Sequence, residues 1–143
     1  MQNKNPNGPT QERFTDGSLS GEGPVKDGKR HGKWTWYYRS GGLKAVGVYL
    51  AGDLDGFWQW WRENGHPLQS GAFKDGKQTG LWRRYYENGQ LWDEGSYADG
   101  KKVGEWKVYD KSGGLKQAKT SASKTKAAKP RATATKRRAA KGS

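Results

Sequence analysis

The chain has 143 residues, of which only 31% are apolar, with 22 glycines, eight tryptophans and no cysteine. That length holds one domain with tails. The low apolar content excludes an ordinary Leu/Ile/Val-cored globule, and the missing thiols exclude disulfides and thiolate metal sites. The formal charge of +13 is unevenly placed: residues 1–115 carry 17 Lys/Arg against 14 Asp/Glu, whereas residues 116–143 carry ten Lys/Arg and no acid.

The chain opens with MQNKNPNGPTQERF, which lacks the apolar core of a signal peptide, and no later run approaches a membrane span. Residues 1–15 are therefore expected to be a disordered N-terminal segment, and the protein to be soluble and cytoplasmic.

From Lys26 the sequence falls into ungapped rows of 24 residues: KDGKRHGKWTWYYRSGGLKAVGVY, LAGDLDGFWQWWRENGHPLQSGAF from Leu50, KDGKQTGLWRRYYENGQLWDEGSY from Lys74, and ADGKKVGEWKVYDKSGGLKQAKT from Ala98. A half unit, DGSLSGEGPV at residues 16–25, precedes them, so the array spans 16–115 with full units starting at 26, 50, 74 and 98. Trp34, Trp58, Trp82 and Trp106 form one column; Tyr37, Trp61, Tyr85 and Tyr109 a second; Tyr49, Phe73 and Tyr97 a third. Glycine recurs at 23, 47, 71 and 95, and in further columns at the turn positions.

Each row holds two short segments separated by turn residues, which reads as a β-hairpin. ENG or SGG marks one turn and DGK the other, all sequences that tolerate positive φ. In the second segment Leu, Gly and an aromatic share one face, and the glycine leaves room for a neighbouring ring to lie on bare backbone. The Trp and Tyr of the first segment are three apart, which requires a twist, a bulge or burial on both faces. Glycine recurs too often for a helix. The expected fold is all-β: an elongated, twisted, single-layer antiparallel sheet of about eight or nine strands in successive hairpins, with units stabilised by stacking on neighbours. In the second row Ala51 replaces Asp, and Pro67-Leu68 replaces the usual Leu, so a shifted hairpin register is expected there.

These rows resemble the MORN repeat, and most closely its variant form; NGQLWDEGSYADGKKVGEWKVY, from Asn88 to Tyr109, carries the pattern nearly throughout. The resemblance implies an open sheet with aromatics along one side that acts as a binding module or scaffold. Bacterial proteins of the variant class are often labelled as antitoxins, so an antitoxin-like role is one form of that implication.

Residues 116–143, KQAKTSASKTKAAKPRATATKRRAAKGS, bury nothing and are expected to be disordered. Their Lys/Ala/Pro composition is similar to linker-histone tails. Spaced cations displace counterions from phosphate polymers. The nucleic-acid-binding candidates are Lys116, Lys119, Lys124, Lys126, Lys129, Arg131, Lys136, Arg137, Arg138 and Lys141. The alternative is a membrane-surface scaffold that binds anionic lipid through the same charges.

Catalysis has little to work with. His31 and His66 sit beside turns in different columns, and Asp27, Asp75 and Asp99 precede glycine and are explained by turn formation. DGSLSGEG lacks the lysine and helix of a phosphate loop. No enzyme, metal or cofactor is expected. A scaffold residue should repeat every 24 positions and a site residue need not. By that rule the candidates for contact with a protein partner are Trp36, Tyr38, Trp60, Arg83, Arg84, Tyr86 and Trp92. Arg84 replaces a Trp, and either lies over its neighbours with its head in water or meets an anionic group of the partner.

Overall fold

A computed structural model describes residues 6–120. The candidates at 124, 126, 129, 131, 136, 137, 138 and 141 lie outside the described residues. Within them the chain is all β, with no helix: β1 (Gly8–Arg13), β2 (Leu19–Lys26), β3 (Lys29–Arg30), β4 (Gly32–Tyr37), β5 (Leu43–Leu50), β6 (Asp53–Trp61), β7 (Pro67–Lys74), β8 (Lys77–Tyr85), β9 (Leu91–Ala98), β10 (Lys101–Tyr109) and β11 (Leu115–Thr120). Every pairing is antiparallel between neighbours in the chain, giving one open sheet in the order β1-β2-β4-β5-β6-β7-β8-β9-β10-β11, with β3 paired to β2 just ahead of β4.

Two kinds of turn fold the sheet. At Asp27-Gly28, Ala51-Gly52, Asp75-Gly76 and Asp99-Gly100 both residues have positive φ, the type I′ geometry whose twist suits a two-residue hairpin. At the opposite edge, the longer turns are closed by backbone bonds such as Arg62 N–H to His66 O and Gly65 N–H to Arg62 O. Successive long turns are tied together 23 residues apart. The Tyr38 hydroxyl donates to Trp61 O, an Arg62 Nη2 to Tyr85 O, and the Tyr86 hydroxyl to Tyr109 O.

The core is one ladder of rings on one face. Trp34, Trp58, Trp82 and Trp106 are buried and lie over Gly23, Gly47, Gly71 and Gly95, so that a Cβ on any of these glycines would overlap the indole. Three of the indole N–H groups donate to a carbonyl ten residues back: Pro24 O at 2.7 Å, Val48 O at 2.9 Å and Ala72 O at 3.1 Å. Between the indoles stand Tyr49, Phe73 and Tyr97, meeting them edge to face at 5.1–6.2 Å. Gly56, Gly80 and Gly104 make this possible. Each has φ near 66–69°, where the register slips, so three residues (Gly56, Phe57, Trp58) oppose Gly47 alone.

A second irregularity recurs at Ser20, Lys44, Leu68, Trp92 and Lys116, each an unpaired extra residue in its hairpin. It falls identically in every unit. The expected register shift at Pro67-Leu68 is therefore overturned: Trp61 pairs with Pro67 as Tyr37 does with Leu43 and Tyr85 with Leu91. The Trp–Tyr parity problem resolves as rings on two faces, the Trp column buried and the Tyr column half-buried. Tyr37 sits on the side of Glu22, with its hydroxyl 2.7 Å from the Glu22 carboxylate. That bond to a carboxylate holds the Tyr37 phenol above its ordinary pKa.

The expected boundaries are corrected at both ends. Residues 8–13 are not a disordered lead but form β1, paired with β2. The half unit at 16–25 is thus the second half of a whole unit, and Gly8, with positive φ, occupies the column of Gly32. Thr10 stands where the other units have Trp, which hid the strand. Residues 115–120 form β11, so Lys116 and Lys119 are sheet residues rather than tail.

Two substitution pairs test this core. Gly71→Ala drives a methyl into the Trp82 ring and is expected to cost about 3 kcal/mol or more, against about 1–2 kcal/mol for Gly65→Ala, whose space is open but whose φ is positive. Trp58→Phe is expected to cost about 1 kcal/mol more than Trp106→Phe, because the Trp106 N–H is buried without an acceptor and has no hydrogen bond to lose. Urea denaturation followed by fluorescence measures all four.

Candidate functional site

The indole ladder recurs in each of the four units from Lys26 onward, but the side chains beside it do not, and they divide the ring face into two differently lined halves. In the first half, Trp36 stacks on Trp34 at 5.3 Å and Trp60 on Trp58 at 5.7 Å. Trp36, Trp58 and Trp60, with Phe14, Tyr49 and Leu54, border a cavity of about 430 Å³. Its walls are mainly apolar, and indole surface left open to water gains free energy when an apolar group covers it.

At the end of this half Arg30 lies 4.7 Å from the Trp36 ring centroid and 5.2 Å from that of Trp34, with its guanidinium bound to Glu12 at 2.8 Å. Glu12 belongs to β1, so the strand missing from the sequence reading supplies the acid that holds Arg30 over the rings.

In the second half the same columns turn polar. Gln69, Gln78, Arg84, Asp93 and Lys102 surround a cavity of about 260 Å³ whose remaining walls are Trp82, Tyr97 and Trp106. Arg84 stands in the column of Trp36 and Trp60, and Asp93 in that of Ala45. They are cross-strand partners. Their ion pair is bidentate, with Nε to Oδ1 at 3.0 Å and Nη2 to Oδ2 at 2.6 Å. Asp93 is only 4% exposed, the one buried charged residue among those described. This hydrogen-bonded partner raises the Arg84 pKa further above its ordinary value, against the lowering effect of burial. The guanidinium also lies 4.0 Å from the Trp92 ring centroid, and Lys102 Nζ 4.5 Å from that of Trp106.

The structure brings only some of the sequence candidates together. Trp36, Trp60 and Arg84 are on the ring face and border the two cavities. Trp92 is the bulged residue of its hairpin; it stacks on Tyr86 at 5.4 Å and supports Arg84. Tyr38 and Tyr86 hold equivalent places, their hydroxyls engaged with the next hairpin, so their role repeats even though Arg62 stands between them in the column. Arg83 is on the opposite face, paired with Glu94 at 3.0 Å.

Sequence reasoning missed Asp93, Gln69, Gln78 and Lys102. Applying the repeat rule to the second segment as well as the first finds the buried acid, since Gly21, Ala45, Gln69 and Asp93 share a column. Among the described residues no group of three or more His, Cys, Asp and Glu is placed to hold a metal ion, and no helix is long and apolar enough to cross a membrane.

Residues 30–50, 78–99 and 102–120 match the MORN repeat variant family. These segments cover the hairpins β4–β5, β8–β9 and β10–β11. The hairpins β1–β2 and β6–β7 lie outside the matches and nevertheless have the same fold, the second despite Ala51 and Pro67. No curated protein matches the chain.

Restoring the repeat at the ion pair separates its structural cost from its use. Arg84→Ala leaves Asp93 buried and unpaired and is expected to lose about 2–4 kcal/mol, whereas the double variant Arg84→Trp with Asp93→Ala recreates the Trp36–Ala45 pairing and is expected to match or exceed the parent chain. Thermal melts of the three proteins measure the difference.

Proposed function

We propose that the array is a non-enzymatic binding module that takes a segment of a protein partner along its ring face, and that the basic C-terminal tail adds non-specific affinity for nucleic acid. The observation that carries this reading is the break in repetition. The ladder Trp34–Tyr49–Trp58–Phe73–Trp82–Tyr97–Trp106 is kept throughout, while the columns beside it change from Trp36, Trp60, Ala45 and Leu54 to Arg84, Asp93, Gln78 and Lys102. A structure needing only stability would have no cause to exchange a stacked indole for an ion pair between an exposed arginine and a buried aspartate, because such pairs seldom improve on apolar packing.

The two halves favour a partner segment with an apolar or aromatic side chain at the Trp36–Trp60 end and a polar or anionic one at the Arg84–Lys102 end. Arg84 is already neutralised by Asp93, so it presents oriented N–H donors more than net charge. Lys102 adds a second cation to that half, with its Nζ 4.5 Å from the Trp106 ring centroid. MORN repeats as binding or scaffold units are consistent with this use of the surface. Antitoxin-like capture of a partner is one form of it.

The tail's contribution is separable. Eight Lys/Arg lie in residues 121–143 without a single acid. If all engage duplex DNA, the logarithm of affinity is expected to fall with log salt at a slope of up to about −7.

The experiment uses the full chain, the variants Trp36→Leu and Trp60→Leu, and a chain lacking residues 121–143. Capture of the partner from lysate should fall at least about tenfold for the two indole variants, provided circular dichroism shows them folded. It should persist in the truncated chain, which should in turn lose DNA retardation at low salt. Equal capture by folded indole variants overturns the ring-face reading, and undiminished DNA binding by the truncated chain overturns the tail reading.

A further inference from the structure

The face opposite the rings carries a surface that neither the ladder nor the partner reading uses. Its central row crosses seven adjacent strands: Lys33 on β4, Val48 on β5, Phe57 on β6, Ala72 on β7, Leu81 on β8, Ser96 on β9 and Glu105 on β10. Lys33 pairs directly with Val48, Phe57 with Ala72 and Leu81 with Ser96. Between those pairs the glycine bulges carry the row across.

The middle of this row is apolar and open to solvent. Phe57 is 56% exposed, Leu81 47% and Val48 38%, with Leu50 of the same strand at 53%. The ends are charged and of opposite sign, and among the described residues neither Lys33 nor Glu105 has an ion-pair partner. Phe57 and Leu81 share a column with these two charges, so the ladder, which is built on the other face, does not require them to be apolar.

The order of the row is what identifies the occupant. Read from either end it runs charge, small or aliphatic residue, large apolar residue, Ala72, large apolar residue, small residue, opposite charge. A two-fold axis through Ala72 lays the row on a reversed copy of itself. Phe57 then meets Leu81 of the second chain, and Lys33 meets Glu105 at both ends. An isologous contact needs a patch complementary to itself, and this row has that property in both apolarity and charge. We infer that this face is the contact between two copies of the chain, back to back, with both ring faces turned outward.

The expected affinity is modest. Six strand spacings make the row about 29 Å long. With the flanking side chains it offers on the order of 500 Å² per copy, below the roughly 800 Å² per partner typical of a stable complex. A weak dimer is expected, with a Kd on the order of 10–500 μM. The whole chain's +13 charge opposes association at low salt. Ionic strength near 0.15 M, where the Debye length is about 8 Å, screens the distant tails more than the end contacts.

Sedimentation equilibrium of the full chain at about 0.15 M salt tests the inference, with protein up to about 1 mM. Concentration-dependent dimer is expected. Phe57→Lys, folded by circular dichroism because its position is exposed, should be monomeric throughout. Lys33→Glu and Glu105→Lys should each raise Kd about tenfold, since each turns two attractions into repulsions, and the chain carrying both should return to within about threefold of the parent. Monomer at every concentration overturns the inference, as does an unchanged dimer in Phe57→Lys. A double reversal no better than either single one overturns it too, because the charges would then not meet as the two-fold requires.

Discussion

Trp34, Trp58, Trp82 and Trp106 each lie over a glycine of the preceding strand, in space that any Cβ would fill. An indole placed there buries both of its own surface and of the backbone beneath, and three of the four also satisfy their N–H on a carbonyl of that strand. The contact sets several requirements at once. The residue beneath must be glycine, and the strand carrying the indole must bulge at a positive-φ glycine to bring the ring inward. The aromatic at Tyr49, Phe73 or Tyr97 must then stand upright against it. A 24-residue period in two glycine columns and two aromatic columns follows from this one geometry, repeated with each hairpin.

A ladder of this kind makes an unusual core. Among the described residues its only fully buried large side chains are Trp34 and Trp58, and no second layer covers either face. Stability passes from hairpin to hairpin through ring contacts and through the bonds spanning 23 residues between long turns, so each unit depends on its neighbours. Columns outside the ladder are correspondingly free to vary. That freedom permits Arg84 and Asp93 to replace an indole and an alanine without disturbing Trp82 or Trp106 on either side. It likewise permits Phe57 and Leu81 to stand exposed on the opposite face.

The period made the hairpins, the two turn types and the ring columns legible without coordinates, because each rests on residue types that few others can replace. The ends were not legible. β1 was hidden because Thr10 stands in place of the indole that marks the other units, although Gly8 was in its proper column. β11 was hidden because Lys116 and Lys119 look like the cationic sequence that follows them. The site was half legible: Arg84 stood out against Trp36 and Trp60, but its acid did not, since Asp93 is one of many acids until pairing across β8 and β9 places it. Tyr38 and Tyr86 misled for the converse reason. Their column mixes Tyr with Arg62, yet a hydroxyl and a guanidinium make the same bond to a carbonyl one unit later.

The ends also explain where the ring ladder stops among the described residues. Extending the ladder past β10 would need a glycine opposite Trp106 for the next indole to cover, and Lys119 occupies that position. Before β2, Thr10 opposes Gly23, so no ring from β1 reaches the ladder, and Glu12 instead fixes Arg30 over the first indoles. Open sheet edges invite further strands unless they are blunted. Pro9 on one edge and the lysines of β11 on the other have that effect. With edge-to-edge growth disfavoured, the surfaces that the described residues leave for association are the two faces. The ring face is walled by stacked indoles and the Arg84–Asp93 ion pair, whereas the back face is a simple apolar row between two opposite charges. One sheet thus carries two surfaces of different chemistry, and a substitution confined to one need not alter the other, because alternate residues of each strand belong to opposite sides.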